Sequence, residues 1–275
     1  MTSTSPTPAG APMAAGPVDP LGHDLHALLR TLKLSGMKDT LPERLSLAKR
    51  RQLSHHQFLE QLLADEVSRR EARSAANRAA RAGLLPLMRL ETWTEPENLI
   101  YDRQLLSDLT TLRFVEAGHN LLVLGSVGIG KSHLATALGH IAIRRRLTVQ
   151  MIRAEKLFTR LRAARLDQTL EAEFRRLARL DLLVLDDFAL KALDPTTTAD
   201  FYELVVERHA QAVSTIVTSN REPPEWLTMT ADPLLAQSAV DRITGHAHTL
   251  ILEGPSYRQR HTPVHPTAAA SGDRP

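Results

Sequence analysis

Apolar residues recur at helical spacing through the first third of the chain: Leu25, Leu28, Leu29 and Leu32, then Phe58, Leu59, Leu62 and Leu63. Residues three and four apart share one helical face, so the stretch from Leu21 to Leu90 is expected to be all-helical. Ser54 stands three residues before Gln57, the spacing at which the two side chains satisfy each other's exposed backbone N–H groups and open a helix. That helix is expected to run through Arg69, Arg70, Arg73, Arg78 and Arg81, to end at Gly83, and to be closed off by Pro86. From Asn120 the pattern changes. Short apolar runs at Leu121–Leu124, Thr148–Ile152, Leu182–Asp186, Thr215–Ser219 and Thr249–Leu252 alternate with helix-length stretches, the arrangement of βαβ units on a parallel sheet. Residues 1–20 and 261–275 are rich in Thr, Ser, Pro and Ala without apolar periodicity and are expected to be disordered tails. The predicted organisation is a tail (1–20), a helical domain (21–90), an α/β domain (91–260) and a second tail (261–275).

Composition narrows this picture. With 275 residues, 43% of them hydrophobic and 24% charged, the chain has room for one α/β domain and a smaller appendage. There is no cysteine, which excludes disulfides, thiol nucleophiles and cysteine metal sites. The net charge of +3 is unevenly spread: residues 20–90 carry 13 Lys and Arg against 7 Asp and Glu, and residues 91–275 carry 21 against 23. Such a basic module suits nucleic-acid phosphates, although a solvated helical face accounts for it equally. The apolar runs are far shorter than the roughly 20 residues that cross a bilayer. The first residues also lack the basic and apolar regions of a secretory signal, so a cytoplasmic protein without a membrane partner is expected.

The chemistry lies in Gly125-Ser126-Val127-Gly128-Ile129-Gly130-Lys131-Ser132. This run has the G-x-x-x-x-G-K-[ST] spacing, directly after a strand and directly before a helix-forming stretch. Glycines let successive N–H groups turn toward one anion, and the helix N-terminus adds its dipole. Lys131 is then placed for the β and γ phosphates of ATP and Ser132 for Mg²⁺, a hard ion that takes oxygen ligands. The apolar run Leu182–Leu185 ends in Asp186 and Asp187. Asp186 is expected to hold Mg²⁺ through water and Asp187 to polarise the attacking water. The strand at Thr215–Ser219 ends at Asn220, a candidate to orient that water. Ligands gather at the carboxyl ends of strands in open α/β sheets, so these groups point to one site. Arg242 is a candidate arginine finger for a neighbouring subunit's γ-phosphate, with Arg208 a competing trans candidate and Arg258 a further phosphate contact. The twelve histidines show no H-E-x-x-H spacing. Arg144, Arg145 and Arg146, and Lys156, Arg160, Arg162 and Arg165, are candidate positions along a DNA path.

Taken in order, Gly125–Ala135 including Lys-Ser-His-Leu-Ala, Leu-Leu-Val-Leu-Asp-Asp-Phe at 182–188, Thr-Ser-Asn at 218–220, Asp-Arg at 241–242 and Ser-Tyr-Arg at 256–258 resemble the IstB-like ATPases. These are AAA+ proteins that assist an insertion-sequence transposase and are related to DnaC helicase loaders. The resemblance implies a helical N-terminal domain followed by an AAA+ P-loop NTPase domain with a five-stranded parallel sheet flanked by helices. It also implies ATP-dependent assembly of a homo-oligomer on duplex DNA, recruitment of a cognate transposase, and a nucleotide lined by Gly125 through Ser132 and His133. By the same analogy Lys131 and Ser132 bind nucleotide, Asp186 and Asp187 are the Mg²⁺ and water-activating acids, Asn220 is the first sensor and Arg242 the finger. The chain departs from the family at Ser126, Val127 and Ile129, at Ala189 where glycine is common, and at Asp187 where most AAA+ proteins carry Glu. The shorter acid implies slow hydrolysis, and stimulation of that hydrolysis by DNA is expected. Readings left open are a DnaC-like replicative helicase loader with the same core, a small-molecule P-loop kinase, and an ATP-gated scaffold that does not hydrolyse.

Overall fold

A computed structural model describes residues 23–95 and 98–256. The chain divides into two compact units, residues 1–74 and 75–275.

In the first unit, α1 (His23–Thr31), α2 (Met37–Arg51) and the first five turns of α3 (His55–Arg81) bury Leu29, Met37, Leu41 and Leu62, with Leu34 and Phe58 partly covered. Of the periodic residues named from the sequence, Leu29 and Leu62 are buried and Phe58 is partly covered, whereas Leu25, Leu28, Leu32, Leu59 and Leu63 stay exposed. Gln57 Oε1 accepts from the Ser54 backbone N–H at 3.0 Å, and the Gln57 N–H donates to Ser54 Oγ at 3.3 Å, so α3 opens on the expected reciprocal cap. Several of the basic residues are held by acids rather than turned to solvent. Arg44 forms a two-pronged pair with Asp65, and Glu66, only 4% exposed, accepts from both Arg69 and Arg70. Those contacts, Arg69 first, hold the Glu66 carboxyl at a pKa of about 2. Arg50, Arg51 and Arg73 are exposed, as is Arg81 in the second unit.

The second unit is a five-stranded parallel sheet of order β2-β3-β4-β1-β5. Its strands are β1 (Asn120–Gly125), β2 (Val149–Arg153), β3 (Leu182–Phe188), β4 (Ser214–Ser219) and β5 (Ala247–Leu252). Each of the five expected strands forms, within about two residues of its predicted ends. The apolar runs are unbroken because both faces are covered. Leu121, Val123, Leu182, Val184 and Ile216 join one core, and Leu122, Leu124, Leu183, Leu185 and Val217 join the other, as side-chain alternation along a strand requires. The first core is roofed by α4 (Arg103–Thr110), α5 (Arg113–Glu116) and α6 (Lys131–Arg144). The second lies under α7 (Ala154–Leu166), α8 (Leu170–Ala178), α9 (Pro195–Ala210), α10 (Pro223–Thr228) and α11 (Pro233–Thr244).

Residues 75–90, grouped by the sequence with the helical module, pack into the first core through Ala79, Ala82 and Leu84. The chain leaving α3 runs as a strap along β2 and α6. Met151 N–H donates to Ala82 O at 2.7 Å. Gly83 takes φ +79 there, where a Cβ would stand 2.7 Å from Met151 O. Leu84 lies on Gly139. Two histidines one heptad apart on α6 fasten the rest of the strap: His140 Nε2 meets Leu85 O and His133 Nε2 meets Arg89 O, both at 2.9 Å. A carbonyl only accepts, so each Nε2 carries the proton.

Candidate nucleotide-binding site

The loop 125–130 joins the carboxyl end of β1 to the first turn of α6. Gly125 and Gly130 have φ +147 and +115, a region that side chains rarely adopt. A Cβ on Gly125 would strike Leu252 O, and one on Gly130 would strike the Trp93 ring. Ile129, fully buried in the first core, pins the loop. Lys131 Nζ donates to Gly125 O and Ser126 O, both at 2.8 Å, so the ammonium lies over the loop's own carbonyls. Ser132 Oγ donates to Asp186 Oδ1 at 2.8 Å, and Thr218 Oγ1 donates to the same oxygen at 2.7 Å. Asp186 is 4% exposed. Asp187 follows with φ +55 and a half-exposed carboxylate 3.8 Å from Arg153 Nε.

A cavity of about 480 Å³ opens here, within the roughly 300–1,000 Å³ of small-molecule sites. It brings together Val127, Gly128, Gly130, Lys131, Ser132, His133, Asp187 and Asn220. Gly125, Ser126 and Ile129 shape the loop from behind, and Asp186 stands behind Ser132. The sequence reading missed Met88, Thr92, Trp93, Thr94, Arg153 and Leu190, which complete the lining. Trp93 packs edge-on against His133, centroids 4.9 Å apart, and its Nε1 is buried without a hydrogen-bond partner. Nothing periodic marks residues 84–95, so the strap that delivers Trp93 left no sequence signal. Arg153 was findable, because it ends β2 at the same sheet edge as the other site residues.

Ser132 and Asp186 supply two adjacent hard oxygen donors, which fit Mg²⁺. Among the described residues no group of three or more His, Asp or Glu forms a metal site. Such an ion would therefore draw its remaining ligands from nucleotide and water.

Arg242 lies apart. It stands in the last turn of α11, half-buried. Its Nη1 donates to Ser238 O at 2.8 Å, and its guanidinium lies 5.9 Å from the Tyr202 ring centroid. A separate cleft of about 240 Å³ is lined by Arg242, Asn120, Thr215 and His246, which lie at or beside the amino ends of β1, β4 and β5. Arg208, the competing trans candidate, is corrected by the structure. It is 2% exposed and donates to Thr215 Oγ1, Leu177 O, Leu180 O and Ser214 O, so it is spent on holding α9 to α8 and β4. Burial lowers its pKa to about 9, still well above neutrality, so it stays charged. Arg258 lies outside the described residues. Three of the four candidate DNA-path residues on α7 are already paired: Arg160 with Glu173, Arg162 with Asp194 and Arg165 with Asp200. Arg144 and Arg145 pair with Glu91 and Glu116. No helix among the described residues is long and apolar enough to cross a membrane.

The glycine loop between β1 and α6, the acids ending β3 and the 2-3-4-1-5 parallel order define a P-loop nucleoside-triphosphate-binding domain of the AAA+ class. The same architecture is found in AMPPCP-bound DnaA from Aquifex aeolicus (TM-score 0.52, 23% identity, covering 64% of this chain and 53% of that one). It recurs in DnaI (TM-score 0.52, 21% identity, 60% and 90% coverage). This chain thus spans about half the length of the DnaA structure, and at such identity the likeness concerns the fold. The chain belongs to the IstB-like ATP-binding protein family, whose profile matches residues 27–264. Relatives include an insertion-sequence ATP-binding protein of Mycobacterium tuberculosis, 35% identical over 89% of this chain and 97% of the relative. The IS21 ATP-binding protein of Pseudomonas aeruginosa is 31% identical over 86% and 89%.

Proposed function

We propose that this chain is an ATP-hydrolysing AAA+ protein that assembles as a homo-oligomer on duplex DNA and assists an insertion-sequence transposase. The observation that carries the reading is the gathering of Lys131, Ser132, Asp186, Asp187 and Asn220 at one sheet edge while Arg242 stands at the other. Loop N–H groups and the Lys131 ammonium hold the phosphates, and Met88 and Trp93 offer apolar surface to the base. Ser132 and Asp186 would hold Mg²⁺ together with the nucleotide, and the ion would supply neutralisation of charge on the phosphates. The Asp187 carboxylate and the Asn220 carboxamide orient a water toward the terminal phosphorus. The new P–O bond forms as the bridging P–O bond breaks, leaving ADP and phosphate. β1 has six residues and spans about 17–20 Å at roughly 3.3 Å per residue, so Arg242 cannot reach its own chain's phosphates and acts on a neighbouring copy. The exposed Arg50, Arg51, Arg73, Arg81 and Lys156 are the cations with which DNA phosphates are met. The insertion-sequence names of the relatives support a transposase over a replicative helicase as partner.

The test is the mass of the complex on a duplex of about 60 base pairs, well under one persistence length, with ATP, with ADP and with Lys131→Ala. Large assemblies with ATP alone, and none with Lys131→Ala, are expected. Indifference to nucleotide and duplex, or assembly on single strands only, overturns the reading.

A further inference from the structure

Where β3 carries its two acids, its register against β4 slips. Leu185 faces Val217 and Phe188 faces Ser219, so Asp186 and Asp187 together face a single residue, Thr218. Such a bulge sets two residues of one strand against one of its neighbour. Here the Asp187 N–H donates to Thr218 Oγ1 at 3.0 Å, and the same hydroxyl donates onward to Asp186 Oδ1 at 2.7 Å. One hydroxyl thus spends its proton on the first acid and a lone pair on the backbone of the second. Thr218 is fully buried between Val217 and Ser219 on a central strand. Valine would fill the same volume, so packing does not account for the hydroxyl.

From this geometry we infer that Thr218 is the positioning residue for both acids, an inference that rests on the ATP-hydrolysis reading. Together with Ser132, whose Oγ donates to the same Oδ1, it turns the Asp186 carboxylate so that Oδ2 is left for the metal side of the site. By accepting from Asp187 N–H it stabilises the left-handed backbone, φ +55, that carries the Asp187 side chain out of the strand and into the cavity. The bulge and the hydroxyl act together, since the two acids share one facing residue and its hydroxyl meets both.

Full-length protein, Thr218→Val and Thr218→Ser are compared by ATP turnover, by affinity for a fluorescent ATP analogue with and without Mg²⁺, and by thermal midpoint. Partners that orient ligating carboxylates are typically worth about 10–100-fold in metal affinity or activity. Thr218→Val is accordingly expected to lower kcat about 10–100-fold, and to weaken analogue binding, with a matching rise in KM, about tenfold in Mg²⁺ but less than about twofold without it. Thr218→Ser, which keeps the hydroxyl, is expected to stay within about threefold on both measures. Wild-type turnover and Mg²⁺ dependence in Thr218→Val overturn the inference. So does equal loss of affinity with and without Mg²⁺ in both variants, which marks general damage. If the unaltered protein hydrolyses no ATP, the hydrolysis reading falls and the Mg²⁺ arm alone decides the role of Thr218.

Discussion

Arg208 and Glu66 show how a charged residue in this chain declares its work only through its partners. Arg208 faces four neutral acceptors on β4, on α8 and in the turn that follows α8. Arg208→Met is expected to destabilise the second unit by about 3 kcal/mol or more, because buried carbonyls lose their donors; urea melts measure it. Glu66 titrates near 2 when folded, below its ordinary value, so its contribution is full above about pH 4.5 and is lost as pH falls toward 2. Helicity followed from pH 6 to pH 2 should show a loss in that window that Glu66→Gln lacks. In the sequence Arg208 read as a candidate for a neighbouring copy's phosphate, and Glu66 carried no assigned role. The nucleotide loop was legible residue by residue because its chemistry is local: glycines, Lys131 and Ser132 are contiguous, and their geometry follows from the chain itself. Arg208 was not, because burial is set by α8 and β4, which are distant in sequence.

Among the elements, the five strands were legible because a sheet covered on both faces writes unbroken apolar runs. The bulge in β3 was not, since a register slip leaves the run Leu-Leu-Val-Leu-Asp-Asp unchanged. The strap from Ala82 to Trp93 was equally silent: it is held by backbone carbonyls and two histidines, not by a periodic face. It nevertheless ends with an indole on Gly130, so the loop and the strap cannot move independently. Nucleotide binding is expected to change Trp93 emission, with Trp226, 1% exposed, as a constant background; in Trp93→Phe the change should vanish. Gly139 sits under Leu84, whose Cδ2 would stand 2.8 Å from an added Cβ. Gly139→Val is therefore expected to destabilise by about 1–3 kcal/mol through overpacking, read as a lower thermal midpoint.

For the molecule as a whole, the division of labour between the two ends of the sheet makes a mixing experiment decisive. On the proposed function, Lys131→Ala loses nucleotide but keeps Arg242, and Arg242→Ala keeps nucleotide but loses the finger. Each alone should hydrolyse ATP about 10³-fold more slowly than the unaltered protein, the order expected when an arginine finger is missing, and the mixture should recover turnover. Absence of recovery in the mixture counts against action in trans. Affinity for duplex should also fall steeply with salt, since the contacts proposed are to phosphates. The opposite placement of Arg242 and the glycine loop has a further consequence for arithmetic and direction. If each finger serves the next copy in a row, the contact is head-to-tail and the array has polarity. An open row of n copies then holds n−1 finished sites, with a bare finger at one terminus and an unassisted nucleotide at the other. Turnover per copy should climb with the length of the row and level off, and the two termini should lose subunits at different rates.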